Sequence, residues 1–481
     1  MIELKTYTKT ILADTKTPIG IFMALRDIYQ KPLLLESSDY NSKQNHYSYL
    51  CFQPLASFEL SGQVLKTVVG SVIQKQALPS SNRTLVQEFI NFKEQFIFQE
   101  LNFGFCTGGL FGYNSFDVIE YFEDITFRQK ENKQLIPDIL YHLYSLILVF
   151  DHTTNNLHII SHAFDNETAQ KQLFELNENI LTQQVTEFNF SPVGEERANQ
   201  TDDEFMELVN VAKDHCQKGD IFQMVLSRQF SQAYIGDDFN LYRALKNINP
   251  SPYLFYFDTG RFRLFGSSPE AQLIIKNNKA QINPIAGTYK RSANNTEDII
   301  NAKKLLVDEK ENAEHMMLVD LARNDLSKYC TAVEPVYLQQ VQLYSHVIHL
   351  VSKIEGELRA GIHAFEVLAG SSPAGTLSGA PKYKALQLID KYEPTSRGYY
   401  GGSIGFLSDK NELNQAIMIR TFLSKDHVLY YQAGAGIVNA SDPESEMNEI
   451  YNKISALKKA IKEAQKINKT ISSYSHETTN T

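Results

Sequence analysis

The chain has 481 residues, 43% of them hydrophobic, with 29 Phe and 25 Tyr. That is enough for two or three ordinary domains or one large interlaced core. The formal net charge of −10, with no Lys/Arg-rich block, argues against a general nucleic-acid binder, so an anionic ligand must be met by local arginines and backbone amides.

The N-terminus lacks the apolar core of a signal peptide. Residues 139–150 form the longest apolar run, which is interrupted by His142 and too short to span a bilayer. Cys51, Cys106, Cys216 and Cys330 are far apart and form no C-x-x-C pair, so free thiols in a reducing, cytoplasmic setting are expected. Residues 1–195 read as a first region with β-like runs at 57–60, 63–69 and 143–150. Within it, Gly104-Phe105-Cys106-Thr107-Gly108 matches the nucleophile turn of a glutaminase. No H-x-E follows to complete such a site, so a glycine turn between strands is expected.

Residues 187–201 lack periodicity and read as a linker. The second region, 202–463, alternates helices and strands. A helix over 202–218 opens on acidic residues and stops at Gly219, and a strand follows at 222–230. Residues 297–328 read as one long helix, and 404–407, 416–422 and 428–432 as strands. The segment 464–481, rich in Asn, Thr, Ser and Lys, is expected to fray.

The chemistry concentrates in the second region. Gly434-Ala435-Gly436, read as a turn, exposes successive N–H groups able to hold an anion. Glu446 and Glu449 share a helix face, and Glu311 and Glu314 repeat the spacing. Like charges so placed cost about 0.2–0.5 kcal/mol per pair. One such pair is usually a solvated helix face. Two pairs, one running into His315-Met316-Met317-Leu318, call for a cation. Mg²⁺ fits, since it takes one or two carboxylates and completes its shell with water and substrate oxygens.

Arg420, among apolar neighbours, is either a buried ion pair or a bidentate carboxylate clamp, and the nearby glycines favour the clamp. Gly287 and Thr288 end a strand that begins at Pro284. Residues 373–382 (PAGTLSGAPK) read as a loop entering a helix, with Ser378 as cap and Pro381 in the first turn. His349 lies on a β-patterned run. It is a satisfied core residue or, if it faces the site, a proton-transfer group.

Taken in order, GDIFQMVLSR (219–228), NPSPYLFY (249–256), GSSPE (266–270), PIAGTYKR (284–291), DEKENAEHMMLVDLARNDL (308–326), HVIHLVS (346–352), PAGTLSGAPK (373–382), YYGGSIGF (399–406) and QAGAGIV (432–438) resemble the chorismate-utilising enzymes. The resemblance is nearest to the anthranilate synthase large subunits. It implies an α+β chorismate-binding fold of layered antiparallel β-sheets flanked by helices. It also implies that Glu314 and Glu449 hold Mg²⁺, with Glu311 and Glu446 shaping the metal site. Gly287 and Thr288 would meet the ring carboxylate of chorismate. Tyr400, Arg420, Gly434, Ala435 and Gly436 would take the enolpyruvyl group, and His349 would handle protons.

Leu33-Leu34-Leu35-Glu36-Ser37 resembles the N-terminal tryptophan-binding motif of that family. L-Tryptophan would then bind as feedback inhibitor through Ser37, Pro252, Tyr253 and Leu254. Leu254 replaces a common Met of similar volume. Sister enzymes carry a water-activating lysine where Gln223 stands, or a nucleophilic lysine where Ala286 stands. Neither is present, which leaves ammonia as nucleophile. Ammonia would come from a glutamine amidotransferase subunit (anthranilate synthase component II) in a hetero-oligomer. The rival expectations are an aminodeoxychorismate synthase component and a non-catalytic tryptophan sensor.

Overall fold

The computed structural model describes residues 1–37, 46–78, 84–128, 130, 136–182, 184–292, 294–343 and 347–467. The apolar run at 139–150 becomes strand Ile139–Asp151, and its lack of polar alternation follows from burial on both faces. Leu140, Tyr144, Ile147 and Val149 face a core between the sheets. Leu146, Leu148 and Phe150 face a second core, under one set of helices, and Ile139, Tyr141 and Leu143 a third.

Among the described residues the long pairings are antiparallel, as expected for this α+β arrangement. Strand Ile139–Asp151 lies between Tyr47–Ser61 on one side and Gly109–Asn114 and Asn156–Ala163 on the other. The two ends of the chain are interlaced. Leu33–Glu36 pairs with Tyr253–Asp258, and Gly109–Asn114 pairs with Ser403–Ser408. Residues 187–201, expected as a linker, instead contain strand Phe190–Ala198, paired with Gln223–Gly236. Most of its side chains are exposed and it carries Pro192 and Gly194, so no alternation announced it.

Three further sequence expectations are corrected. The single helix at 297–328 is two, Asn295–Val307 and Glu309–Ser327. Asp308 breaks it with an extended backbone (ψ 109°), and its side chain accepts from the Glu311 amide at 3.1 Å. The strand at 416–422 is also interrupted. Leu413–Ile417 and Thr421–Lys425 flank a break where Arg420 has φ +51°. Ser378 is not a cap: its hydroxyl donates to the Ala374 carbonyl, and Pro381 precedes helix Lys382–Tyr392 with no side-chain cap.

Gly434, Ala435 and Gly436 lie inside strand Val428–Ile437, opposite Ser227, Leu226 and Val225. No turn forms there. Beyond Tyr431 this strand has a neighbouring strand on one side only. Helix Pro443–Ala464 follows, capped by Asp442 and buried along Ile450, Ile454, Leu457 and Ile461. This geometry holds the first two turns of the helix, with Glu446 and Glu449, beside the open edge of the glycine strand. The segment 464–481 is described only as far as 467, where Ala464 closes the helix; 468–481 lie outside the described residues.

Candidate active site

The glycines act here by letting neighbours come close, not by forming a turn. A methyl group on Gly436 would stand 2.6 Å from the Gln223 amide nitrogen, and one on Gly434 would stand 2.9 Å from the Tyr400 hydroxyl. The Ala435 side chain points the other way, into the helix-side core. The open edge is met by side chains. The Gly434 carbonyl accepts from Lys453 Nζ at 2.7 Å, and its backbone hydrogen-bonds the Tyr400 hydroxyl.

One carboxylate of each expected pair, Glu314 and Glu449, comes to this face. Glu314 Oε1 accepts from Gln223 Nε2 at 2.7 Å and lies 3.6 Å from the Cβ position of Gly436. Glu449 pairs with Lys453 at 2.6 Å, and its charge reaches Tyr400. Glu446 is buried one turn earlier. Glu311 approaches Gly287, its Oε2 lying 3.3 Å from where a Cβ would be.

Gly287 sits inside strand Ile285–Lys290 and does not end it. It occupies a bulge with φ +69°, a conformation that glycine adopts without strain. Thr288 pairs with His349 through the backbone; the Thr288 side chain lies outside the described residues. His349 Nδ1 donates to the Gly287 carbonyl at 3.0 Å, which makes Nδ1 the protonated nitrogen of a neutral ring. Burial, with help from the Arg420 and Lys453 charges, lowers its pKa to about 4 against the raising effect of that carbonyl. His349 is therefore neutral at physiological pH.

Arg420 is half-buried, and burial lowers its pKa while the Glu270 charge opposes that shift. Its guanidinium reaches Asn249 Oδ1 at 3.4 Å, and no carboxylate forms an ion pair with it among the described residues. Of the two readings left open by the sequence, the buried ion pair is thus not seen. Its left-handed backbone costs on the order of 1–2 kcal/mol for a non-glycine residue, a strain typical of functional positions.

Two residues of this neighbourhood escaped the sequence reading. Glu270 closes the GSSPE turn, is 8% exposed, and accepts from Thr376 Oγ1 at 3.1 Å. Burial raises its pKa to about 8, although Thr376, Lys453 and Arg420 all pull it down. A lone carboxylate in a turn gives no periodic signal. Lys453 did carry one, since it stands four residues after Glu449, the favoured spacing of a helical ion pair. The glycine turn expected at Cys106 is an irregular segment with a buried thiol donating to the Gly108 carbonyl, and all four cysteines are free.

No group of three His, Cys, Asp or Glu side chains gathers at metal-binding distance among the described residues. What converges on the glycine strand is two carboxylates from two helices. Such a set is too small for a protein-only cage, but its hard oxygen donors fit an ion that keeps waters and takes substrate oxygens.

On another part of the same sheets lies a cavity of about 430 Å³. Ser37, Pro252, Tyr253 and Leu254, the four residues marked for tryptophan, all line it. Tyr47, Tyr49, Phe105 and Phe406 supply aromatic walls. Its size lies within the range of small-molecule pockets.

A model of the chorismate binding enzyme family matches residues 34–459. Anthranilate synthase component 1 of Aquifex aeolicus is 35% identical, covering 95% of this chain and 94% of that protein. The same-named protein of Thermus thermophilus is 36% identical over 97% and 99%. The crystal structure of anthranilate synthase component I from Streptococcus pneumoniae TIGR4 superposes with a TM-score of 0.76 at 33% identity, covering 86% of this chain and 93% of that one. The menaquinone-specific isochorismate synthase of Escherichia coli shares the fold (TM-score 0.73, 18% identity, 96% and 95% covered). Among the described residues, no helix is long and apolar enough to cross a membrane.

Proposed function

The chain belongs to the chorismate-binding enzymes, and we propose that within them it makes anthranilate and pyruvate from chorismate and ammonia. The observation that carries this reading is the nucleophile question. Gln223, where a water-activating lysine would be needed, is a neutral amide already donating to Glu314. Ala286, where an attacking lysine would be needed, has no nucleophile. Ammonia is what remains.

In this reading the Arg420 fork, the Tyr400 hydroxyl and the open edge at Gly434 hold the enolpyruvyl carboxylate, while Gly287 and Thr288 meet the ring carboxylate. Mg²⁺, held by Glu314 and Glu449, would supply charge stabilisation at that ring carboxylate. Ammonia forms a bond to C2, the ring double bonds shift, and the C4–O bond breaks. Glu270, protonated at neutral pH, gives its proton to the departing oxygen so that water leaves. Neutral His349 then accepts the C2 proton at Nε2. The bond to the enolpyruvyl oxygen breaks, pyruvate forms on protonation of its enol, and the ring becomes aromatic.

The aromatic cavity suits L-tryptophan as feedback inhibitor. Ammonia would come from a glutamine amidotransferase partner, which the name component 1 of the relatives implies. Incubation with chorismate, Mg²⁺ and ammonium tests the activity. Rising anthranilate fluorescence is expected, and chorismate left unchanged would return the chain to a sensing role.

A further inference from the structure

Beside Glu270 lies a second and much smaller cavity of about 30 Å³. One wall is the face of helix Glu309–Ser327 that carries Leu318, Leu321, Ala322 and Asp325, spaced as one side of a helix. The opposite wall is the loop at 371–376, which presses close enough that a methyl on Gly375 would stand 2.2 Å from Leu321. A volume of about 10–15 Å³ of this kind holds one water when polar partners are present, so there is room for about two.

Polar partners are present at both ends. Glu270 and Thr376 line one end, and Asp325 lines the other, with Gln272 between. Asp325 is buried, yet it is anchored by Lys382 Nζ at 2.7 Å and approached by the half-exposed Lys328 at 3.8 Å. Lys382 also donates to the Ser371 carbonyl at 3.0 Å, which ties the loop wall to the same carboxylate.

We propose that this chamber holds ordered water joining Glu270 to Asp325, so that Glu270 is reprotonated from the Asp325 side and not through the substrate cleft. The inference rests on the reading of Glu270 as the proton donor. After the donor O–H bond breaks to form water from the leaving hydroxyl, a chamber water gives one proton to the Glu270 carboxylate. It recovers one from bulk water reached beside Lys328, and the Asp325 carboxylate, ion-paired with Lys382, accepts hydrogen bonds from that water and holds it in line. Each turnover thus passes one proton inward and needs no other reactant. Asp325 acts as a positioning residue for the chamber water, since it never touches substrate.

The test compares Asp325→Asn and the chamber-filling Ala374→Val with wild type, with ammonium as nitrogen source. The first turnover starts with Glu270 already protonated, so the single-turnover rate should stay within about twofold. Steady-state kcat should fall about tenfold with the KM for chorismate within twofold, and the solvent deuterium isotope effect on kcat should rise. A crystal structure of the wild type should show water in the chamber. Equal slowing of both phases, unchanged steady-state kcat in both variants, or a dry chamber would overturn the relay. Glu270→Gln separates the two claims. If it turns over normally, the donor reading fails; if it is inactive while the two variants cycle at wild-type rate, only the relay fails.

Discussion

The charged cleft at Gly434 and the aromatic cavity at Ser37 are built on the same interlaced sheets, yet they are made in opposite ways. In the cleft, glycines remove side chains so that Gln223, Tyr400 and Lys453 crowd the backbone, and titrating groups stand close enough to shift one another. In the cavity, Tyr47, Tyr49, Phe105, Tyr253 and Phe406 supply surface, and strands from both halves of the chain meet around it. A cleft of the first kind is suited to moving charge, and a cavity of the second kind to recognising a flat apolar ligand. Substitutions should therefore separate cleanly, with cleft variants losing rate and cavity variants losing regulation.

The largest effect is expected at Glu270. Glu270→Gln keeps the shape but removes the proton, and kcat should fall roughly 10²–10⁴-fold, read by anthranilate fluorescence. The pH profile of the wild type carries the same information. The proposed mechanism needs Glu270 protonated and His349 neutral, so kcat/KM should be lost above about pH 8 and below about pH 4. A raised carboxyl pKa stabilises the fold at low pH and loses that contribution as pH climbs through about 8. Glu270→Gln should therefore melt above the wild type at pH 9, a difference visible by calorimetry.

Arg420→Ala should cost about 2–5 kcal/mol in kcat/KM if, as proposed, its guanidinium is the charged partner of a substrate carboxylate. An unchanged specificity constant would make Arg420 merely structural. Gly436→Ala drives a methyl into the Gln223 side chain and so displaces Glu314; a loss of roughly 10²-fold in kcat/KM is expected. The smallest catalytic effect belongs to the cavity. Ser37→Ala should leave kcat/KM within about twofold while raising the L-tryptophan concentration needed for half inhibition. Intact inhibition would remove Ser37 from that pocket.

The cleft was legible in the sequence wherever a residue type implied its chemistry. Glu314, Glu449, His349, Tyr400 and Arg420 are linked by contacts or charge effects around the glycine strand and Lys453. What was misread was backbone. Gly-Ala-Gly means either a tight turn or a close approach, and composition does not separate them; only pairing with residues 225–227, distant in sequence, decides for the second. The left-handed Arg420 was hidden inside an apolar run that looks like one strand. Asp308 could have been read as a cap, since Asp three residues before Glu311 at the head of a helix is a capping pattern. The fold was legible as a class, because runs buried on both faces and capped amphipathic helices belong to layered sheets under helices. The pairing of residues 33–36 with 253–258 was not, since no local signal spans that distance.

The most direct measurement is product analysis after incubation with chorismate, Mg²⁺ and ¹⁵N-labelled ammonium. Anthranilate carrying one ¹⁵N, with pyruvate in equal amount, is the predicted result. Isochorismate, or an aminated ring that retains its enolpyruvyl group, would contradict it.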